Sequence, residues 1–417
     1  MRKRLIFIIV CAAVLFQSIS ASAVSISSDA AYVIDALTGE CYYEFNAEAP
    51  LAPASMTKVM TVYILYEKMR DGVISKETMI TADEEDAAAS RDPEATNVLL
   101  DAGKSYSVGE LIGAILVPSA CAASAMAGKY LCGSEREFAG LMNDTAARLG
   151  LNAYYEDASG LSDSNRITAS SMARLSRLLV NEFPDVLNYT SMPYIIFGGR
   201  RYNSTNHMLS GDSYEYAGVD GLKTGTTTLA GYCFTSTAVR DGIRLITVTM
   251  HSKTGSRRFT DSAELLNYGF ERANTLYNNI LATDMRIYIN GEEIPAFRYG
   301  GPNSGLTFII EDLKDYGFSI GWNDEEKTVT AYYDSSNEVT PIPMEMYRGY
   351  SNGSALFGIT ANSGITAQIE YNGDKYTFER VYSLDGYMAV SADELINIAD
   401  ECTWDEQTRS LNIVFGR

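Results

Sequence analysis

The tightest constraint on this chain is the stretch Pro53-Ala54-Ser55-Met56-Thr57-Lys58, followed at once by the apolar run Val59-Met60-Thr61-Val62-Tyr63-Ile64-Leu65-Tyr66. A run this apolar around its whole circumference reads as a buried helix, and Gly72 marks where it stops. If Ser55 opens that helix, Lys58 lies one turn on and on the same face. The lysine amine then reaches the serine hydroxyl, and the helix N-terminus places a positive partial charge at the serine. A serine hydroxyl is a weak nucleophile until a neighbouring base takes its proton, and a buried lysine can serve as that base. Lys58 is the one lysine of eleven with a serine three residues before it. Taken alone, the spacing describes more readily a capped helix with an exposed lysine.

Other features narrow the field. At 417 residues, two or three domains are expected. Arg2-Lys3-Arg4, the apolar Leu5–Phe16 stretch and Ala21-Ser22-Ala23 read as a signal peptide over 1–23, which implies a secreted, cell-wall-associated protein. The apolar stretch is too short for a permanent membrane anchor, and Cys11 carries no lipid-attachment pattern. A net charge of −20 argues against nucleic-acid or anionic-membrane partners. The cysteines after residue 23 are Cys41, Cys121, Cys132, Cys233 and Cys402, an odd set without metal-ligand spacing. With two histidines, His207 and His251, the sequence argues against a histidine-rich metal site, and a Ser-His-Asp triad would have to use one of them. There is no phosphate-cradling glycine loop, and no cofactor is expected.

In chain order, Ala31–Asp35 and Cys41–Phe45 read as a strand pair. Leu111–Val117 reads as a buried helix broken at Pro118. Ser119-Ala120-Cys121 follows the break and leads into a small-residue helix from about Ala122 to Leu131. A serine between two buried helices is placed to enter a cleft, or simply to cap the second helix. Residues 133–190 look helical, with a turn at Ala158-Ser159-Gly160-Leu161. Gly218–Thr226, Gly231–Val239 and Arg244–Met250 form a strand set with a hairpin at Arg240-Asp241-Gly242. Lys-Thr-Gly occurs twice, at 223–225 and 253–255; the first copy sits on a strand edge. A helix from about Asp261 to Tyr277 closes this part.

Ser55-x-x-Lys58, Ser119-x-Cys121 and Lys223-Thr224-Gly225, in that order, resemble the active-site motifs of penicillin-binding proteins and serine β-lactamases. Asp35 with Thr38-Gly39, Ala158–Leu161, Asp220–Gly225, Ala230-Gly231-Tyr232 and Arg258-Phe259 are most similar to low-molecular-weight D-alanyl-D-alanine carboxypeptidases. The resemblance covers roughly 28–275. It implies an α/β (α+β) domain over 24–278, an antiparallel sheet flanked by helices with a helical subdomain. It further implies Ser55 as the acylated nucleophile and Lys58 as its base. Ser119 would relay a proton to the leaving D-alanine with electrostatic support from Lys223. The backbone N–H of Ser55 and the strand after Lys223, at Gly225, would bind the oxyanion. Thr224 and Arg258 would hold the substrate's terminal carboxylate. Cys121 departs from the family's asparagine, and a thiol cannot replace both functions of an amide. The implied partners are a peptidoglycan stem peptide and, as covalent inhibitors, β-lactam antibiotics. The absence of a Glu-x-x-Leu-Asn segment favours a peptidase over a β-lactamase. A catalytically weakened wall-binding pseudoenzyme is the alternative.

In the last third, Trp322 and Trp404 are 82 residues apart, as are Asn290-Gly291 and Asn372-Gly373. The surrounding words match, so two copies of one small α+β unit are expected, over 279–335 and, with a linker, 336–417. They resemble stalk modules related to the N-terminal domain of copper amine oxidases. No copper is implied, because the region lacks histidine. Each tryptophan is expected in core packing, and Leu411–Arg417 reads as a strand rather than a membrane anchor.

Overall fold

The computed structural model describes residues 24–240, 243–277, 279–299, 305–344, 355–358, 365–384, 387–405 and 408–416. The expected signal peptide and the hairpin tip at 241–242 lie outside the described residues. The chain divides into two compact units, one ending at Gly269 and one covering Phe270–Arg417.

The first unit is built on a five-stranded antiparallel sheet. Its strands are β1 (Ala30–Asp35), β2 (Cys41–Phe45), β3 (Val219–Thr227), β4 (Gly231–Arg240) and β5 (Ile243–Ser252), in the spatial order β2-β1-β5-β4-β3. The registers, such as Ile34 opposite Ile246 and Thr235 opposite both Val248 and Lys223, put alternate side chains on opposite faces. One face, with Ile34, Ile246 and Val248, joins the core shared with the helices. On the other face Val33 and Leu245 meet helix α6 (Arg257–Tyr277). A Cβ on Gly269 would come within 2.9 Å of both side chains, so glycine lets the helix approach. β3, which carries Lys223-Thr224-Gly225, has no strand on its outer edge among the described residues.

Helix α1 (Lys58–Arg70) runs through the core with every residue from Lys58 to Glu67 buried, as its all-round apolar sequence requires. Around it lie α2 (Val108–Leu116), α3 (Cys121–Cys132), α4 (Glu135–Arg148) and α5 (Ala169–Glu182). A Ser107–Glu110 capping box starts α2 three residues earlier than its apolar run suggests. α3 ends on Gly133 in the left-handed conformation. α6 starts at Arg257, four residues ahead of its expected start at Asp261, which places Arg258 in its first turn.

In the second unit, elements recur at the 82-residue spacing. The turns at Asn290-Gly291 and Asn372-Gly373 share positive φ, as do Lys327 and Arg409, and the 3₁₀ turns Ile310–Asp315 and Ala392–Asn397 correspond. The strands interlock. β6 (Arg286–Ile289) pairs in parallel with β11 (Ser410–Val414), and β8 (Thr328–Tyr333) pairs in parallel with β9 (Thr366–Tyr371). An early strand of the first stretch therefore lies beside the last strand of the second, and a strand of the second lies beside the last strand of the first. Between them β7 (Leu306–Ile309) and β10 (Tyr387–Ser391) run antiparallel, with Phe308 opposite Val390. One core results, holding Ile287, Phe308, Leu313, Val329, Ile369, Val390 and Ile413. The tryptophans depart from expectation. Trp322 and Trp404 are 52% and 45% exposed, because they sit at the rim of the core opposite Val329 and Leu411 rather than inside it.

Phe308 is fully buried at the centre of that shared core. Phe308→Ala is predicted to destabilise this unit by about 3–5 kcal/mol. Urea unfolding of the full chain should show a lower midpoint for one transition only.

Candidate active site

Ser55 lies in a 3₁₀ turn, Ala54–Thr57, that runs directly into α1. In 3₁₀ geometry residues i and i+3 eclipse, which brings Lys58 beside Ser55. Lys58 is fully buried, and its Nζ lies 2.8 Å from Ser55 Oγ, 2.7 Å from the Ser159 carbonyl oxygen and 3.3 Å from Cys121 Sγ. Ala54, next to the serine, has φ +48, a strained value for a residue with a Cβ.

Cys121 reaches Lys58 from the start of α3, and Ser119 precedes it in the break between α2 and α3. Ser119 is buried with φ +72, and among the described residues its hydroxyl makes no hydrogen bond. Cys121 opens α3, its amide donating to the Thr96 carbonyl. All five described cysteines are free thiols.

The third wall is β3. A Cβ on Gly225 would sit 2.5 Å from the Pro53 carbonyl oxygen and 3.2 Å from Met56 N, so only glycine lets this strand press against the turn that carries Ser55. Lys223 is buried and donates to the Thr224 carbonyl at 3.0 Å. Burial, reinforced by the positive charges of Lys58 and Arg258, holds its ammonium well below the usual lysine range, while Cys121 acts the other way. Thr224 Oγ1 donates to Thr205 Oγ1 at 2.6 Å. Arg258 Nη1 reaches the Gly225 carbonyl at 3.2 Å and Thr226 Oγ1 at 2.8 Å. Its guanidinium stacks over Phe259 and Tyr232, and its buried Nε has no partner among the described residues. The second Lys-Thr-Gly, at 253–255, lies in the turn ahead of α6.

Lys58, Ser55 and Cys121 are thus in direct contact, and Lys223, Thr224, Gly225 and Arg258 line the adjoining strand edge. Sequence reasoning missed the Ser159 carbonyl, Thr205 and Thr226. A backbone carbonyl has no side-chain signature, although the Ala158–Leu161 wording does mark the loop that supplies it. The histidines are engaged elsewhere: His207 with Asp212, and His251 with the Ala52 carbonyl.

Such a site can move a proton from a serine to an amine while fixed cations hold an anion nearby. The fold is the penicillin-binding/β-lactamase-like α+β fold. The sequence profile of the D-alanyl-D-alanine carboxypeptidases matches residues 17–254, and the chain belongs to that family. Arg258 lies just beyond the matched span.

The D-alanyl-D-alanine carboxypeptidase DacC of Escherichia coli (strain K12) is 32% identical over 251 residues, 59% of this chain and 62% of that protein. The match therefore spans about three fifths of that relative's length. DacF of Bacillus subtilis (strain 168) is 28% identical over 70% of this chain and 76% of its own length. Among solved structures, ampicillin-bound penicillin-binding protein D2 of Listeria monocytogenes is 31% identical with a TM-score of 0.51, covering 59% of this chain and 98% of that one. A peptidoglycan synthesis regulatory factor (PBP3) of Streptococcus pneumoniae is 28% identical with a TM-score of 0.58, over 68% and 85%.

The sign of the Lys223 shift gives a test. With its pKa lowered, Lys223 is charged at low pH and becomes neutral before exposed lysines do as pH rises. NMR titration of ¹³C-labelled lysines should show this early loss. Arg258→Met removes one depressing charge and should move the Lys223 titration upward, and co-titration with surface lysines would contradict the assignment.

Proposed function

We propose that this chain is a serine-type D-Ala-D-Ala carboxypeptidase that removes the terminal D-alanine from peptidoglycan stem peptides through an acyl-enzyme on Ser55. The observation that carries this reading is the Lys58 amine 2.8 Å from the Ser55 hydroxyl inside a buried site. Ser55 attacks the carbonyl of the penultimate D-alanine as Lys58 takes its proton. The backbone N–H of Ser55 and the strand at Gly225 stabilise the tetrahedral oxyanion, an interaction that strengthens as charge develops. Ser119 passes a proton to the departing amine, with Lys223 supplying positive charge. Thr224 and Arg258 receive the substrate's carboxylate, which fixed cationic donors bind better than water does. The open edge of β3 accepts an extended peptide as an added strand. Water then releases the acyl group.

A strained cyclic amide such as a β-lactam acylates the same serine, and the family relationship supports penicillin sensitivity. The basic and apolar start of the sequence supports export to the wall. No helix among the described residues is long and apolar enough to cross a membrane.

One observation favours a slower catalyst that serves partly as a wall-binding protein. Cys121 occupies one of the three contacts of Lys58 and offers substrate no amide. The two readings separate on turnover.

Incubation with a labelled penicillin and mass mapping should find the adduct on Ser55, and Ser55→Ala should abolish it. Release of D-alanine from a pentapeptide should depend on Ser55. Absence of both reactions in folded protein rules out the enzyme reading, and an adduct without D-alanine release favours the slower alternative. Cys121→Asn places an amide beside Lys58, where a thiol now stands. It is predicted to raise turnover by about tenfold, a gain equivalent to about 1.4 kcal/mol of transition-state stabilisation.

A further inference from the structure

We propose that Asp157 is a positioning residue for the lysine base, folding the loop 157–162 so that the Ser159 carbonyl takes one N–H of Lys58 and leaves the amine's lone pair facing Ser55. The inference rests on the acyl-transfer reading above and names the part of the fold that makes Lys58 an acceptor.

A neutral amine has two N–H bonds and one lone pair. Lys58 Nζ has three polar neighbours, Ser55 Oγ, Cys121 Sγ and the Ser159 carbonyl oxygen. The carbonyl can only accept, so it claims one N–H at 2.7 Å. The sulfur at 3.3 Å takes the other as a weak acceptor. With the carbonyl and the sulfur each holding one N–H, we assign the remaining direction, the lone pair, to the Ser55 hydroxyl 2.8 Å away, the arrangement that a base for that hydroxyl requires. Once the amine has taken the proton, the same carbonyl stabilises the resulting ammonium. Were the carbonyl displaced, the amine could turn an N–H toward Ser55 and lose its role as base.

The position of that carbonyl traces to one side chain. Asp157 Oδ1 accepts from Ser159 N at 2.6 Å, Ser159 Oγ at 3.0 Å and Gly160 N at 2.5 Å. Its Oδ2 accepts from Ser162 N and, at 3.2 Å, from Asn165 Nδ2. Five donors on one carboxylate wind the loop into a fixed shape that no regular secondary structure supplies. The wound loop is clamped at two points. Thr61, one turn beyond Lys58, donates to the Ala158 carbonyl at 2.6 Å. Gly160, at φ +86, abuts the turn ahead of Ser55 so closely that a Cβ would sit 1.9 Å from the Ala54 carbonyl oxygen. Two successive carbonyls thus face α1, one pinned by Thr61 and the next free to hold Lys58.

The test separates binding from chemistry with a fluorescent penicillin in stopped flow, yielding the non-covalent dissociation constant and the acylation rate constant for the full chain. Asp157→Ala should lower the acylation rate constant by about 10²-fold, the cost of misplacing a reacting group by about 1 Å. The dissociation constant should stay within about threefold. Asp157→Asn keeps an oxygen for the three Oδ1 donors and should recover most of the rate. Ser159→Ala keeps the carbonyl but removes one of the five donors, and should slow acylation less than Asp157→Ala does. Should Asp157→Ala fail to fold, Thr61→Val removes the second pin without touching Asp157, and it should slow acylation several-fold with unchanged binding. The proposal is overturned by wild-type acylation rates in Asp157→Ala or Thr61→Val. It is equally overturned by equal losses in Asp157→Ala and Asp157→Asn, or by a dissociation constant that rises in step with the fall in rate. Failure of wild-type protein to acylate at Ser55 would instead remove the acyl-transfer reading, and this inference with it.

Discussion

The chemistry proposed for this chain depends on burying one amine among three polar neighbours. Lys58 is fully buried, yet it touches a hydroxyl, a carbonyl and a thiol. Burying an amine without such partners would cost several kcal/mol. Here each neighbour satisfies a valence, and one of them is the group to be activated. The burial that makes the site costly is also what strengthens its electrostatics, because a water-poor environment screens charge weakly.

Three remote stretches of sequence make that arrangement. The 3₁₀ turn and the first residue of α1 supply Ser55 and Lys58, the break after α2 and the start of α3 supply Ser119 and Cys121, and β3 supplies Lys223-Thr224-Gly225. Each arrives by a device with a local cause. A 3₁₀ turn eclipses Ser55 and Lys58, Pro118 ends α2, and the missing side chain of Gly225 lets the edge strand close on the turn. Crowding cations at one edge has a consequence visible in Lys223, whose ammonium is destabilised by burial and by its charged neighbours.

Much of this was legible in the sequence because the decisive signals are local. The all-round apolar run after Lys58 could only be a core helix, and the alternating strands from 219 to 252 gave the sheet edge. The parts that were not legible depend on tertiary approach. The Ser159 carbonyl belongs to the backbone, so no residue type announces that it will meet Lys58. The pairing of Thr224 with Thr205 joins residues whose spacing carries no periodicity. The tryptophans misled for a related reason. A large apolar residue is usually core, but at the rim of a small sheet it covers the core while remaining half in water. The strand exchange in the second unit was likewise invisible, since an 82-residue spacing says that two stretches are alike and nothing about which strands pair.

The central claim is that the Lys58 amine takes the proton from Ser55. The most direct measurement is the acylation rate of Lys58→Met by a β-lactam, followed by intact mass, beside wild type at the same pH. Methionine keeps the buried volume and removes the base. The account predicts a fall of at least about 10³-fold with the fold retained. Acylation of Ser55 in Lys58→Met at within about tenfold of the wild-type rate would mean that another group, or solvent, activates the serine.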